Sequence, residues 1–86
     1  MQPVIEEIKK LITEMHRLGK PDDQGRLTVK FGVLVRDDKI ANILEGLVGT
    51  LKAAKKRKII DFQGEILLQG AHDNVDVILL QETVSE

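Results

Sequence analysis

Apolar residues recur at spacings of three and four near the start of the chain and again from position 40 to 54, while beyond position 58 they come in short β-prone runs. This change of period commits the chain to a mixture of helix and sheet. In the first stretch Pro3 suits the opening position of a helix, and Val4, Ile5, Ile8, Leu11, Ile12, Met15 and Leu18 form one stripe. Glu6, Lys9, Lys10, Thr13 and Arg17 occupy the other face. Gly19 followed by Pro21 predicts a stop near Leu18, because glycine accepts a left-handed cap and proline cannot continue a helix.

Pro21, Asp22, Asp23, Gln24 and Gly25 supply turn chemistry, and the next residues place Leu27, Val29 and Phe31 on one face of a short strand. A short second helix is expected over residues 32–35, followed by Asp37 or Asp38 as the cap of a long central helix over residues 39–58. Its stripe is Ile40, Ile43, Leu44, Leu47, Val48, Leu51 and Ala54. Three β-prone pieces follow, at 59–62, 65–69 and 75–80, of which the last two are expected to pair as a hairpin. The fold class expected is α+β and winged-helix-like, with three helices packed on a small antiparallel sheet. At 86 residues the chain has material for one core, so a single domain over 1–86 is expected, with 82–86 as a flexible tail.

Phe31 and Phe62 are the sequence's only large aromatic residues, with no Tyr or Trp beside them, so the core must be closed by packed Leu, Ile and Val. The absence of cysteine removes disulfides, thiolate nucleophiles and thiolate metal sites together. No apolar run approaches the roughly 20 residues that span a bilayer, and the N-terminus lacks the uninterrupted apolar stretch of a signal peptide, which points to the cytoplasm. A net charge of −1 gives no global field, so electrostatic attraction must come from local clustering.

Catalysis needs a nucleophile or an acid/base pair held in a pocket. The chain offers one serine, Ser85, four threonines, and His16 and His72 far apart, which argues against an enzyme. His72, Asp73 and Asp76 fall in a segment rich in turn formers and are read as a turn, with no metal or cofactor expected. His16 sits at the edge of the apolar stripe and covers it. Gly46 and Gly49 have a Gly-x-x-Gly spacing, but the residues between them are apolar and suit a helix, not a phosphate-clamping loop.

Two surface features remain as candidate partner-binding sites. Asn42, Gly46, Gly49 and Ala53 align on the side of the central helix opposite its stripe, and helical glycines, costing about 1 kcal/mol each relative to alanine, suggest close approach of something to the backbone. Lys52, Lys55, Lys56, Arg57 and Lys58 place five cations within seven residues at the end of the same helix. One or two would complement the helix dipole; five leave a surplus for binding. A DNA-binding winged helix is the alternative, but the N-terminal part of its recognition helix would carry Asp37 and Asp38, which repel phosphates.

The segments Lys30-Phe31-Gly32-Val33-Leu34, Asp37-Asp38-Lys39, Leu47-Val48-Gly49-Thr50-Leu51-Lys52-Ala53-Ala54-Lys55, Gly64-Glu65 and Leu67-Leu68-Gln69-Gly70 together resemble the costars family. The resemblance runs from about Val4 to Gln81. That family comprises small stand-alone proteins and the C-terminal actin-binding domain of the striated muscle activator of Rho signalling. It implies a winged-helix-like fold and a non-enzymatic role in actin organisation and cell motility. The implied partner is actin or an actin-regulating protein, bound by a cytoplasmic, cytoskeleton-associated monomer without a cofactor. No contact residue comes with the resemblance, so the candidate surfaces rest on the chemistry above.

Overall fold

The computed structural model describes residues 4–44, 46–64 and 67–82. Helix α1 (Val4–Leu18) buries Ile8, Leu11, Ile12 and Met15, the inner part of the expected stripe. Strand β1 (Lys20–Pro21) and strand β2 (Leu27–Lys30) flank a turn in which Asp22 Oδ1 accepts the amides of Gln24 and Arg26 at 2.8 Å. Helices α2 (Phe31–Arg36), α3 (Asp38–Ile43) and α4 (Leu47–Lys56) follow, then β3 (Ile60–Asp61) and β4 (Asp76–Leu79). The sheet is antiparallel throughout, in the order β1-β2-β4-β3, and the buried pair Val29 and Val77 lies at its centre.

The α+β class expected from the sequence holds: helices pack on a small antiparallel sheet. The number of helices does not. The stripe from Ile40 to Ala54 is carried by two helices, since Leu44 turns extended (φ −120°, ψ 115°) and Gly46 departs further (φ −137°, ψ 83°). Both helices contribute to one core, which holds Leu44 and Leu51 together. Val48, assigned to the stripe, is instead on the surface. Asp37 is the residue that caps, its side chain accepting the amide of Ile40 at 3.0 Å.

The hairpin also differs. Glu65 and Ile66 lie outside the described residues, and the segment after them uses its amides locally: Leu68 N–H donates to His72 Nδ1 at 2.9 Å and Gly70 N–H to Asp73 Oδ1 at 2.8 Å. Leu67 plugs the core while Leu68 is exposed. Strand β4 pairs with β2 and β3, and not with residues 67–69, the described part of the expected partner. Pro21, read as turn, belongs to an edge strand, where a missing N–H costs no ladder bond. Phe31 opens α2 instead of ending β2 and is fully buried.

Gly19 does end α1, but not through a left-handed cap: the positive-φ glycines among the described residues are Gly25, Gly64 and Gly70. A Cβ at Gly19 would lie 2.6 Å from the carbonyl oxygen of Met15 and 2.9 Å from Leu27. Glycine is required there because the Met15 carbonyl of the helix's own last turn, with the Leu27 side chain beside it, already fills the space a Cβ would need.

Candidate functional site

The five clustered cations sit where α4 ends. Its termination follows the Schellman pattern: Ile59 N–H donates to Ala54 O at 2.9 Å and Lys58 N–H to Lys55 O at 3.0 Å. That pattern needs one residue in the left-handed region. Glycine usually fills it; here it is Lys58, at φ 61°, the one non-glycine residue with positive φ among those described.

The cations divide into two groups by what they touch. Lys55 is half-buried and its ammonium donates to the carbonyls of Phe62 (2.7 Å) and Gly64 while lying 4.4 Å from the centroid of the Phe62 ring. It fastens the segment after β3 to the helix. The Arg57 guanidinium reaches back to the carbonyl of Ala53 at 3.3 Å, which also accepts the Arg57 amide at 3.2 Å. The side chains of Lys52, Lys56 and Lys58 are exposed and make no ion pair or hydrogen bond among the described residues. Lys52 and Lys56 are one turn apart on the same face of α4.

The small-residue face is less continuous than the spacing predicts. Asn42 is exposed on α3, Gly46 precedes α4, and only Gly49 and Ala53 share a helix. Ala53 is half-buried and packs on the core. The separation of α3 from α4 removes the register that would have aligned all four. Gly46 and Gly49 are exposed, and a Cβ at either would meet nothing within 4 Å, so the protein's own packing does not require glycine there.

Other polar residues are engaged structurally. Glu14, 2 % exposed in the middle of α1, accepts from Arg17 Nε at 2.5 Å and faces the Lys39 ammonium at 3.4 Å; Arg17 also donates to Asp37. The sequence pattern gave no sign that Glu14 would be buried. This cluster ties the end of α1 to the start of α3. The carboxyl of Asp37 is held below its ordinary range by the Ile40 amide and then by Arg17. Asp73 is lowered likewise, by the Gly70 amide and then by Arg36, which donates to it at 2.5 Å. His72 serves the turn through Nδ1, and Asp76 pairs with Lys30 at 2.9 Å. His16 Nε2 meets Glu82 at 2.6 Å. No three His, Asp or Glu side chains among the described residues are placed to hold a metal ion, and no described helix is long and apolar enough to cross a membrane.

Comparison with known proteins gives one consistent answer. A family model described as Costars matches residues 3–80. The chain is 64 % identical over 76 residues to the Costars family protein ABRACL of Bos taurus, covering 88 % of this chain and 94 % of that one. It is 63 % identical to the protein of the same name from Homo sapiens, with the same coverage. The solution structure of human HSPC280 protein superposes with a TM-score of 0.84 at 61 % identity, over 93 % of this chain and 94 % of the other.

Proposed function

The chain belongs to the Costars family, and on that premise we propose that it is a non-enzymatic interaction module of the actin cytoskeleton. It binds actin or an actin-regulating protein through the basic end of α4. It acts as a cytoplasmic monomer without a cofactor and contributes to cytoskeletal organisation and cell motility. The observation that carries this reading is the division of the cations: Lys55 and Arg57 are used by the fold, whereas Lys52, Lys56 and Lys58 are exposed and unpaired among the described residues. Three solvated ammonium groups on one helix end attract an acidic protein surface, and such attraction sets association rate and specificity. The sequence has neither Trp nor Tyr to stack on exposed bases, so nucleic acid ranks below protein as a partner.

The test is co-sedimentation with actin filaments across a salt series. Wild type should pellet with filaments at low salt and progressively less as salt screens the exposed charges. Lys52→Glu combined with Lys56→Glu should abolish pelleting while the protein stays folded, since neither side chain is in contact with the core and reversal at position 56 opposes the helix dipole by only about 0.3–1 kcal/mol. Undiminished pelleting of the folded double variant would exclude this surface.

A further inference from the structure

We infer that the groove between α3 and the start of α4 is the apolar half of this interface, and that groove and lysines together take an acidic amphipathic helix of a partner protein. The inference rests on the proposed interaction role and adds a second subsite and the class of segment that fills both.

The groove has a volume of about 410 Å³, and its walls include Val35 of α2, Ala41 of α3, and Leu47 and Val48 of α4. Buried Leu44 contributes to its floor, Val35 and Leu47 are half-buried, and Ala41 and Val48 are exposed. The sequence is 31 % charged, yet none of the described residues lining this groove is. Uncharged surface therefore collects here against the composition of the chain. Gly46 and Gly49 lie along the same opening, and a Cβ at either would meet nothing within 4 Å. The distance between packed helices is set by the side chains at their contact, so a helix laid here comes close to the α4 backbone.

Charge complementarity identifies the occupant. Val48, Lys52 and Lys56 follow one another at a spacing of four on one face of α4. Apolar surface thus passes into cationic surface within about 6 Å and continues to about 12 Å, at 1.5 Å per residue. Both ammonium groups lack a carboxylate among the described residues. A segment along this face needs apolar side chains for the groove and carboxylates one and two turns further on, which is an amphipathic helix seated in a groove. A purely acidic segment leaves the groove unfilled, and a purely apolar one leaves both lysines unpaired. An anionic bilayer carries the same two chemistries, but it receives side chains that protrude from a protein and does not enter a recess.

The experiment uses a fluorescent helical peptide of about twelve residues, roughly 18 Å long, with leucines on one face of its first half and glutamates on the same face of its second. The reversed sequence supplies the opposite orientation, a peptide with serine for leucine is the control, and phosphatidylserine vesicles form a separate arm. Wild type should bind one orientation and neither the control nor the vesicles. Val48→Lys separates the groove from charge: added charge alone would tighten binding, whereas loss of the apolar contact should weaken it about threefold to tenfold. Gly49→Leu should fill the groove with the protein's own side chain and weaken binding similarly, while melting no lower than wild type, since leucine is the better helix former. Lys10→Gln, on the exposed face of α1, should change nothing. The inference is overturned if Val48→Lys and Gly49→Leu, both folded, bind as well as wild type, if the serine peptide binds equally, if the vesicles are preferred, or if neither orientation binds. Failure of the wild type to pellet with actin, with the peptide pattern intact, would remove the actin reading and leave this one standing; normal pelleting with no effect of Val48→Lys on the peptide would do the reverse.

Discussion

Gly49 and Gly19 should respond in opposite directions to the same added methyl group. Gly49 is the third residue of α4 and a Cβ there meets nothing within 4 Å, so alanine adds helix propensity and no collision. In a helix interior the gain is about 0.8 to 1.0 kcal/mol, and in a first turn somewhat less, giving about 0.5 to 1 kcal/mol. For a chain of this size each kcal/mol moves the melting midpoint by roughly 4–8 °C, so Gly49→Ala should melt roughly 2–8 °C higher. At Gly19 the new carbon would lie 2.6 Å from Met15 O, a backbone atom at the helix end, and 2.9 Å from two carbons of Leu27. The Leu27 side chain can turn aside, but the Met15 oxygen is backbone of the helix's own last turn and cannot retreat without distorting the end of α1, and overpacking of this kind costs about 1 to 3 kcal/mol. Gly19→Ala should therefore melt roughly 4 °C or more below wild type. Circular-dichroism melts, with urea titrations to check that the m-value is unchanged, measure both. A lower midpoint for Gly49→Ala would mean that the outer face of α4 is covered by part of the chain itself. A neutral Gly19→Ala would mean that the last turn of α1 yields to the added carbon without cost.

Lys55→Met keeps the aliphatic stem but removes the donor to the Phe62 and Gly64 carbonyls, and should cost about 1 to 2 kcal/mol, with faster amide hydrogen exchange in residues 62–64; unchanged exchange there would refute the fastening role. Asp37→Asn keeps a cap but loses the charge. The folded carboxyl is held below its unfolded value of about 3.9, so its contribution is present above that pH and lost as pH falls through the folded value. Urea midpoints of wild type and Asp37→Asn should converge between pH 5 and the acid limit, and a gap that stays constant on acidification would refute the assignment.

Much of the fold was legible because local chemistry determines it. The stripe of α1, the turn at Asp22 and the cap at Asp37 each depend on residues within a few positions of one another. The break between α3 and α4 was not legible, for a definite reason. Ile40, Ile43, Leu44, Leu47 and Leu51 keep helical spacing straight through it, and a period reports which residues are inward, not whether the axis bends between them. Thr50, buried with its hydroxyl 3.0 Å from Gly46 O and 3.1 Å from Glu7 Oε1, lies just past the break against α1, a contact between residues 43 positions apart that no local pattern contains. The pairing of β2 with β4 is hidden for the same reason.

The basic end of α4 shows the same limit at the candidate site. Counting charge finds five cations but treats them as equivalent, whereas availability depends on partners supplied by distant chain: the carbonyl of Phe62 removes Lys55 from the surface set, and Gln81 holds the backbone of Lys58. Lys55, at the centre of the run, is the cation most committed to the fold, and a charge reversal that includes it would confound lost binding with lost structure. Lys52, Lys56 and Lys58 are the ones whose removal the fold can tolerate. If the surface acts through charge alone, those three should be interchangeable in any binding assay.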